Sequence, residues 1–220
     1  NSMNLTESEE NYIKSIYHLH VPGQGVSATM LATSVQTKAA SVTDMLKRLH
    51  RKKLINYKPY HNFSLSDLGS KIALEVIRKH RLWEFFLVEK LGFEWHEVHS
   101  IAEELEHISS RELIPRLDIF LGSPSFDPHG DPIPDRNGKI KTVRQTILSE
   151  IPEKKVVTVN AIADQSQTMH ELLKHHHINI GTKIKINRHF SFDGSVEIKI
   201  NKQPLTILSR QAAQNIFCII

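Results

Sequence analysis

The sequence predicts a mainly α-helical protein with a small β domain at its C-terminal end. Three observations lead there. Two amphipathic segments joined by a tight turn, then a weakly alternating run, give the order of a winged helix-turn-helix. A helical middle carries histidines and carboxylates three and four residues apart. From Lys155 onward, short alternating apolar runs separated by turn residues indicate a small barrel.

The bulk properties set the limits. With 220 residues, 40% hydrophobic and 24% charged, the chain has the balance of a globular protein of more than one domain. No apolar run reaches the length of a membrane span, so no membrane partner is expected. Asn1 to Thr6 lacks a basic segment leading into an apolar one, which predicts a cytoplasmic protein. The single cysteine, Cys218, excludes an internal disulfide and a thiolate metal cluster, and its apolar neighbours predict a packing role. A net charge of +4 and a pI near 9.1 hint at a polyanionic partner.

Thr6 with Glu9 three residues on predicts a capped helix start, with Tyr12, Ile13, Ile16, Tyr17 and Leu19 as its apolar face. Ser27–Val35 predicts a short second helix and Ala39–Lys53 a longer one, with Val42, Met45, Leu46 and Leu49 inward. Residues 54–66 predict a two-stranded wing with a polar tip at Pro59–Asn62, and Asp67 to Leu91 a further helix. In this order the second helix of the pair enters the DNA major groove. Ser41, Thr43 and Asp44 are candidate base readers. Lys38, Lys47, Arg48, Arg51 and Lys58 are candidate phosphate contacts. The basic run Lys47–Lys53 also reads as a solvated helix end placed by the helix dipole.

Leu82, Trp83, Phe85, Phe86, Leu87, Val88 and Leu91 make a helix apolar nearly all round, which predicts burial in a homodimer interface. Further helices are expected over Trp95–Ser110 and Arg111–Phe120, then a Pro/Gly-rich segment from Gly122 to Pro134. His80 and Glu84 are four apart, as are His99 and Glu103, and Glu103 and His107; Glu103 and Glu106 are three apart. Two helices can thus aim imidazoles and carboxylates at shared points, a ligand set for a first-row divalent ion. Taken alone, a His–Glu pair of this kind also reads as a solvated face.

Thr6-Glu7 with Tyr12-Ile-Lys-Ser-Ile-Tyr17, Ser41-Val-Thr43, Arg78-Lys-His-Arg-Leu82, Glu103-Glu-Leu-Glu-His107 and Pro128-His-Gly-Asp-Pro-Ile-Pro134 together resemble the diphtheria-toxin-repressor/manganese-transport-regulator family of metal-dependent repressors. The resemblance implies two metal sites per subunit. One matches Asn11, Glu103, Glu106 and His107, with His80 joining in some members. The other matches His80, Glu84 and His99, with Asp127 and Asp164 as matches for further ligands. Asn11 departs from the family, which usually has Met or Asp there. The resemblance also implies a homodimer on a double-stranded DNA operator and a C-terminal SH3-like domain of the iron-transport-accessory type. Oxygen and imidazole ligands without sulfur favour Mn²⁺ or Fe²⁺, with Zn²⁺ or Co²⁺ able to bind in vitro.

The expected divisions are a winged helix over 1–74, a metal-binding and dimerisation region over 75–143, and the β domain over 144–220. In the last, Val156–Ile162, Lys183–Asn187, Val196–Ile200 and Leu205–Leu208 predict strands, Gln167–His175 a short helix, and His175–His177 an exposed helix end. The sequence therefore predicts a metal-dependent, non-enzymatic DNA-binding repressor. Two other readings stand beside it: a winged-helix regulator indifferent to metal, and a carboxylate-bridged di-iron protein built on Glu104-x-x-His107. The latter needs a second such motif, and none is visible.

Overall fold

The structure, a computed structural model, describes residues 3–58 and 62–220, the side chain of Lys58 excepted. Most of the expected wing tip, Pro59–His61, lies outside the described residues. The chain divides into two compact units, residues 1–80, 103–117 and 134–140, and residues 81–102, 118–133 and 141–220.

The first unit opens with α1 (Glu7–Leu19). The Thr6 hydroxyl accepts from Glu9 N while the Glu9 carboxylate accepts from Thr6 N, a reciprocal cap that fixes the helix start. The second oxygen contact of Glu9 is the Lys52 ammonium at 2.8 Å, just past the end of α3. Helix α2 (Ala28–Ser34), capped by Ser27, and α3 (Ala39–Arg51) follow. Between them Gln36 takes a positive φ of 52°, a conformation that lets the turn be short. Strands β1 (Ile55–Lys58) and β2 (Asn62–Leu65) pair antiparallel as the wing. Ile13, Ile16, Leu31, Val42, Leu46, Leu49 and Leu54 are buried together as the core of this unit.

Helix α4 (Asp67–Glu89) is followed by α5 (Val98–Leu105) and α6 (Leu113–Phe120). The expected helix over 95–110 is shorter at both ends. At its start Glu97 Oε2 accepts from Glu94 N at 2.8 Å, which holds a turn rather than a helix. At its end the chain leaves the helix after Leu105, and Glu106 and His107 sit in a turn closed by Ile108 N donating to Leu105 O at 3.3 Å.

In the second unit, β3 (Thr146–Ile147), β4 (Val156–Ile162), β5 (Lys183–His189), β6 (Val196–Lys199), β7 (Thr206–Leu208) and β8 (Ile216–Ile219) form one sheet in the order β3-β8-β4-β5-β6-β7. Register shifts in β4 and β5 bend it. Helices α7 (Gln167–His175) and α8 (Arg210–Gln214) lie between strands in the chain. Leu148, Val157, Val159, Ile184, Ile186, Val196, Ile198 and Cys218 share one core. Cys218 belongs to β8, a strand of apolar residues whose burial alternates, with Ile216 and Cys218 turned into the core. Burial pushes its thiol up to about 12, in keeping with a packing role.

Candidate functional site

In the second unit three ionisable groups are buried against one another. Glu84 lies on α4, and Asp127 and His129 lie on the loop before Pro134; none is more than 6% exposed. His129 Nδ1 is 3.4 Å from Glu84 Oε2 and 3.7 Å from Asp127 Oδ2. It makes no hydrogen bond. His99 Nδ1 approaches the other Glu84 oxygen at 3.5 Å, from a mostly exposed position on α5.

The loop geometry leaves the facing atoms in place. Asp127 Oδ1 accepts from the backbone N–H groups of His129 and Asp131, both at 2.9 Å, which leaves Oδ2 turned toward the imidazole. Gly130 has a φ of +86°, and a Cβ there would lie 2.0 Å from the carbonyl oxygen of Asn160 on β4. Ile162 N donates to His129 O at 3.0 Å, so β4 holds the loop from below. His129 Nε2 donates to Trp95 O at 2.7 Å, which leaves Nδ1 as the ring nitrogen facing the acids.

Burial raises the Asp127 carboxyl to about 6, against the opposing pull of His129. Burial alone would lower His129, but the adjacent Asp127 and Glu84 carboxylates lift it to about 10. Both shifts describe a place that wants a positive charge. Two buried carboxylates, an unpartnered imidazole nitrogen and no sulfur fit a hard or borderline divalent cation.

The first unit holds a second cluster of a different kind. Glu106 is fully buried; its Oε1 accepts from Lys14 Nζ at 2.5 Å and its Oε2 lies 2.6 Å from His80 Nδ1. Burial would raise this carboxyl, but the His80 hydrogen bond and the Lys14 charge hold it below the usual range. His107 Nδ1 is 2.5 Å from Glu10 Oε2, and its Nε2 is 3.0 Å from Asn11 Oδ1. Glu103, half exposed, stands 3.8 Å from Lys14 Nζ.

The predicted ligands therefore fall in two places. Glu84, His99 and Asp127 come together, with His80 one turn earlier on α4. Asn11, Glu103, Glu106 and His107 gather around Lys14, with His80 on Glu106. Asp164 joins neither set: its carboxylate accepts from Ser166 at the start of α7, which lowers its pKa. Glu104, the first residue of the di-iron motif, is exposed. Sequence reasoning missed His129, Glu10 and Lys14. His129 stood inside the quoted Pro128–Pro134 motif; an imidazole flanked by Asp127 and Asp131 was a usable signal. Glu10 and Lys14 carried none, since α1 is dense in ordinary surface charges.

On the winged helix, Ser41, Asp44, Lys47, Arg48 and Arg51 are exposed along α3, and Lys38 is exposed at its N-cap. Thr43 is exposed too, but its hydroxyl donates to Ala39 O at 3.1 Å, so it offers a partner only its two oxygen lone pairs and its methyl group.

Comparison with known proteins assigns three domains. Residues 4–62 match the iron dependent repressor N-terminal DNA binding domain, 66–135 the iron dependent repressor metal binding and dimerisation domain, and 146–219 the FeoA domain. The iron-dependent repressor IdeR of Mycobacterium bovis is 32% identical over 130 residues, 59% of this chain and 56% of that protein. The chain thus spans about half the length of the first curated relatives it matches. The diphtheria toxin repressor of Corynebacterium efficiens is 28% identical over 83% of this chain and 84% of its own. A solved manganese-dependent transcriptional repressor in complex with manganese superposes with a TM-score of 0.85 at 31% identity, over 96% of this chain and 99% of that one.

Proposed function

The chain belongs to the diphtheria-toxin-repressor/manganese-transport-regulator family of metal-dependent repressors, and from that premise we propose that it is a cytoplasmic, dimeric, metal-dependent DNA-binding repressor without catalytic activity. The observation that carries this is His129 Nδ1, buried and without a hydrogen bond, 3.4 Å from the Glu84 carboxylate and 3.7 Å from that of Asp127. Without metal the protonated imidazole is the cation between the two carboxylates, and a divalent ion can take that place once the proton leaves.

Glu84, Asp127 and His129 would hold the ion, with His99 beside Glu84 as a further ligand. Mn²⁺ or Fe²⁺ suits this set. When bound, the ion supplies the positive charge that makes this packing of acids favourable. Trp95 O orients the imidazole, Gly130 lets the loop lie against β4, and Asp127 Oδ1 keeps the loop closed. Segments 1–74, 75–143 and 144–220 then act as reading head, pairing and metal region, and supporting domain. Leu91, Phe93, Ile119 and Phe120, all exposed apolar side chains of the second unit, support pairing with a second copy. Pairing would set two copies of α3 roughly 34 Å apart, one turn of duplex DNA. A ligand that binds the DNA-competent arrangement better raises DNA affinity, and DNA raises ion affinity equally.

The test uses a duplex selected from a random pool by the Mn²⁺-loaded protein. Its affinity, read by fluorescence anisotropy at fixed salt, is expected to fall at least tenfold on adding a chelator and to return with Mn²⁺. Tight binding untouched by the chelator would instead support the regulator indifferent to metal.

A further inference from the structure

The family resemblance implies a second ion at Asn11, Glu103, Glu106 and His107. The residues present do not fit one. Lys14 Nζ sits 2.5 Å from Glu106 Oε1 and 3.8 Å from Glu103 Oε1, where a bridging cation would stand. The lysine is well enclosed, with 12% of its side chain exposed. A divalent ion on that carboxylate oxygen, at about 2.2 Å, would lie against the ammonium, and two like charges at that range repel strongly.

The other donors are engaged as well. Glu106 Oε2 is taken by His80, and the two ring nitrogens of His107 by Glu10 and Asn11. This holds whichever way the Asn11 amide is turned, since either its oxygen or its nitrogen then faces Nε2. Access is not the obstacle. Glu10 and His107 line a cavity of about 610 Å³ that also touches Arg78, Lys79 and Arg111. What is missing is an unpaired donor and a negative charge at position 11. The contrast with His129, whose Nδ1 makes no hydrogen bond, is sharp.

We infer that Lys14 supplies the cation of this second cluster internally, so that the cluster is a permanent fastening between α1 and the turn after α5, and each chain binds one divalent ion rather than two. This rests on the reading that Glu84, Asp127 and His129 hold that one ion.

Ion counting on the full chain tests it. The protein is dialysed to equilibrium against Mn²⁺ and bound metal is quantified per chain, with far-ultraviolet circular dichroism confirming that each variant is folded. The wild type is expected to hold one ion, Glu106→Gln one, and His129→Ala none. Asn11→Asp combined with Lys14→Met, which removes the ammonium and adds a carboxylate of smaller reach, is expected to hold two. Asn11→Asp with Lys14→Gln is the reserve if the first pair does not fold. Two ions on the wild type, falling to one in Glu106→Gln, would overturn the inference. So would a single ion that survives His129→Ala, or a folded double variant that still holds one. A wild type that holds none would sink the regulatory reading above, while one ion gained by the double variant would still uphold the role of Lys14.

Discussion

His129 donates its Nε2 proton to the carbonyl oxygen of Trp95 at 2.7 Å. One hydrogen bond to a backbone atom thereby decides which ring nitrogen faces the buried acids. The rings also meet edge to face, with centroids 5.2 Å apart, so the imidazole is held in orientation as well as in tautomer. A metal-binding histidine needs both.

His129 and Asp164 separate the observed cluster from the one the sequence suggested. His129→Ala is expected to weaken Mn²⁺ binding at least a hundredfold by titration calorimetry. Asp164→Ala is expected to change it less than threefold, because that carboxylate is engaged with Ser166. Equal losses in the two variants would place the ion elsewhere.

Gly130→Ala acts at one remove. The added Cβ would meet Asn160 O at 2.0 Å and Ala161 Cα at 2.8 Å, both parts of a strand that cannot yield cheaply, and φ there is +86°. The loop must therefore lift from β4. Stability is expected to fall by about 1–3 kcal/mol, read by urea denaturation, and Mn²⁺ affinity with it by tenfold or more. A variant with lowered stability and unchanged affinity would show that the loop does not position the ion.

Ion affinity is expected to rise with pH. The imidazole of His129, lifted to about 10 without metal, must lose a proton to coordinate. One proton released per ion means about a tenfold gain per pH unit between pH 6 and 8. Below about 6 the Asp127 carboxyl is protonated too, and the dependence steepens. The sign follows from competition, since protons occupy the place the ion would take. Calorimetry across this range checks both slopes, and a flat profile would remove His129 from the ligand set.

How much of this was legible in the sequence depends on whether neighbours along the chain decided the outcome. Thr6 with Glu9 caps α1, Ser27 caps α2, and Asp193-Gly194 turns between β5 and β6, all local features. Glu84 and His99 could be found because helical spacing isolates them on apolar segments. His129 could not be ranked above Asp164, because the choice depends on Ile162 and Gly130 bringing one loop against β4. Helical spacing also misled at Glu106 and His107, which lie past the end of α5. The pairing of Lys14 with Glu106 joins residues 92 apart in the chain, and no local pattern announces it.

For DNA, salt dependence distinguishes positioning contacts from readers. Lys47, Arg48 and Arg51 are exposed on α3. Each one that neutralises a phosphate is expected, on substitution by Ala, to reduce the slope of log affinity against log salt by about 0.9. Ser41→Ala is expected to leave the slope alone and relax sequence preference. Anisotropy titrations at several salt concentrations measure both. An unchanged slope in all three basic variants would return them to the role of a solvated helix end.

The last expectation concerns Glu9 and Lys52, which join the start of α1 to the residue after α3. Glu9 also closes the cap of α1, so its two oxygens serve the helix and the lysine at once. Burial would raise its pKa, but Lys52 and the Thr6 N–H more than offset this and hold it below the usual carboxylate range. A carboxylate depressed in the folded state contributes stability that is present at neutral pH and lost as pH falls through its folded value. Glu9→Gln is therefore expected to be about 1–3 kcal/mol less stable than wild type at pH 7. The gap should close as pH falls through the folded value of Glu9, where the wild-type carboxyl becomes uncharged as well. Because Glu10, Asn11 and Lys14 stand on the same helix, loosening its start should also weaken DNA binding in the Mn²⁺-loaded protein, although Glu9 touches neither ion nor groove. Lys52→Met should reproduce the stability loss from the other side of the pair. A gap that persists unchanged at acid pH would show that the carboxylate charge is not what holds α1 to α3.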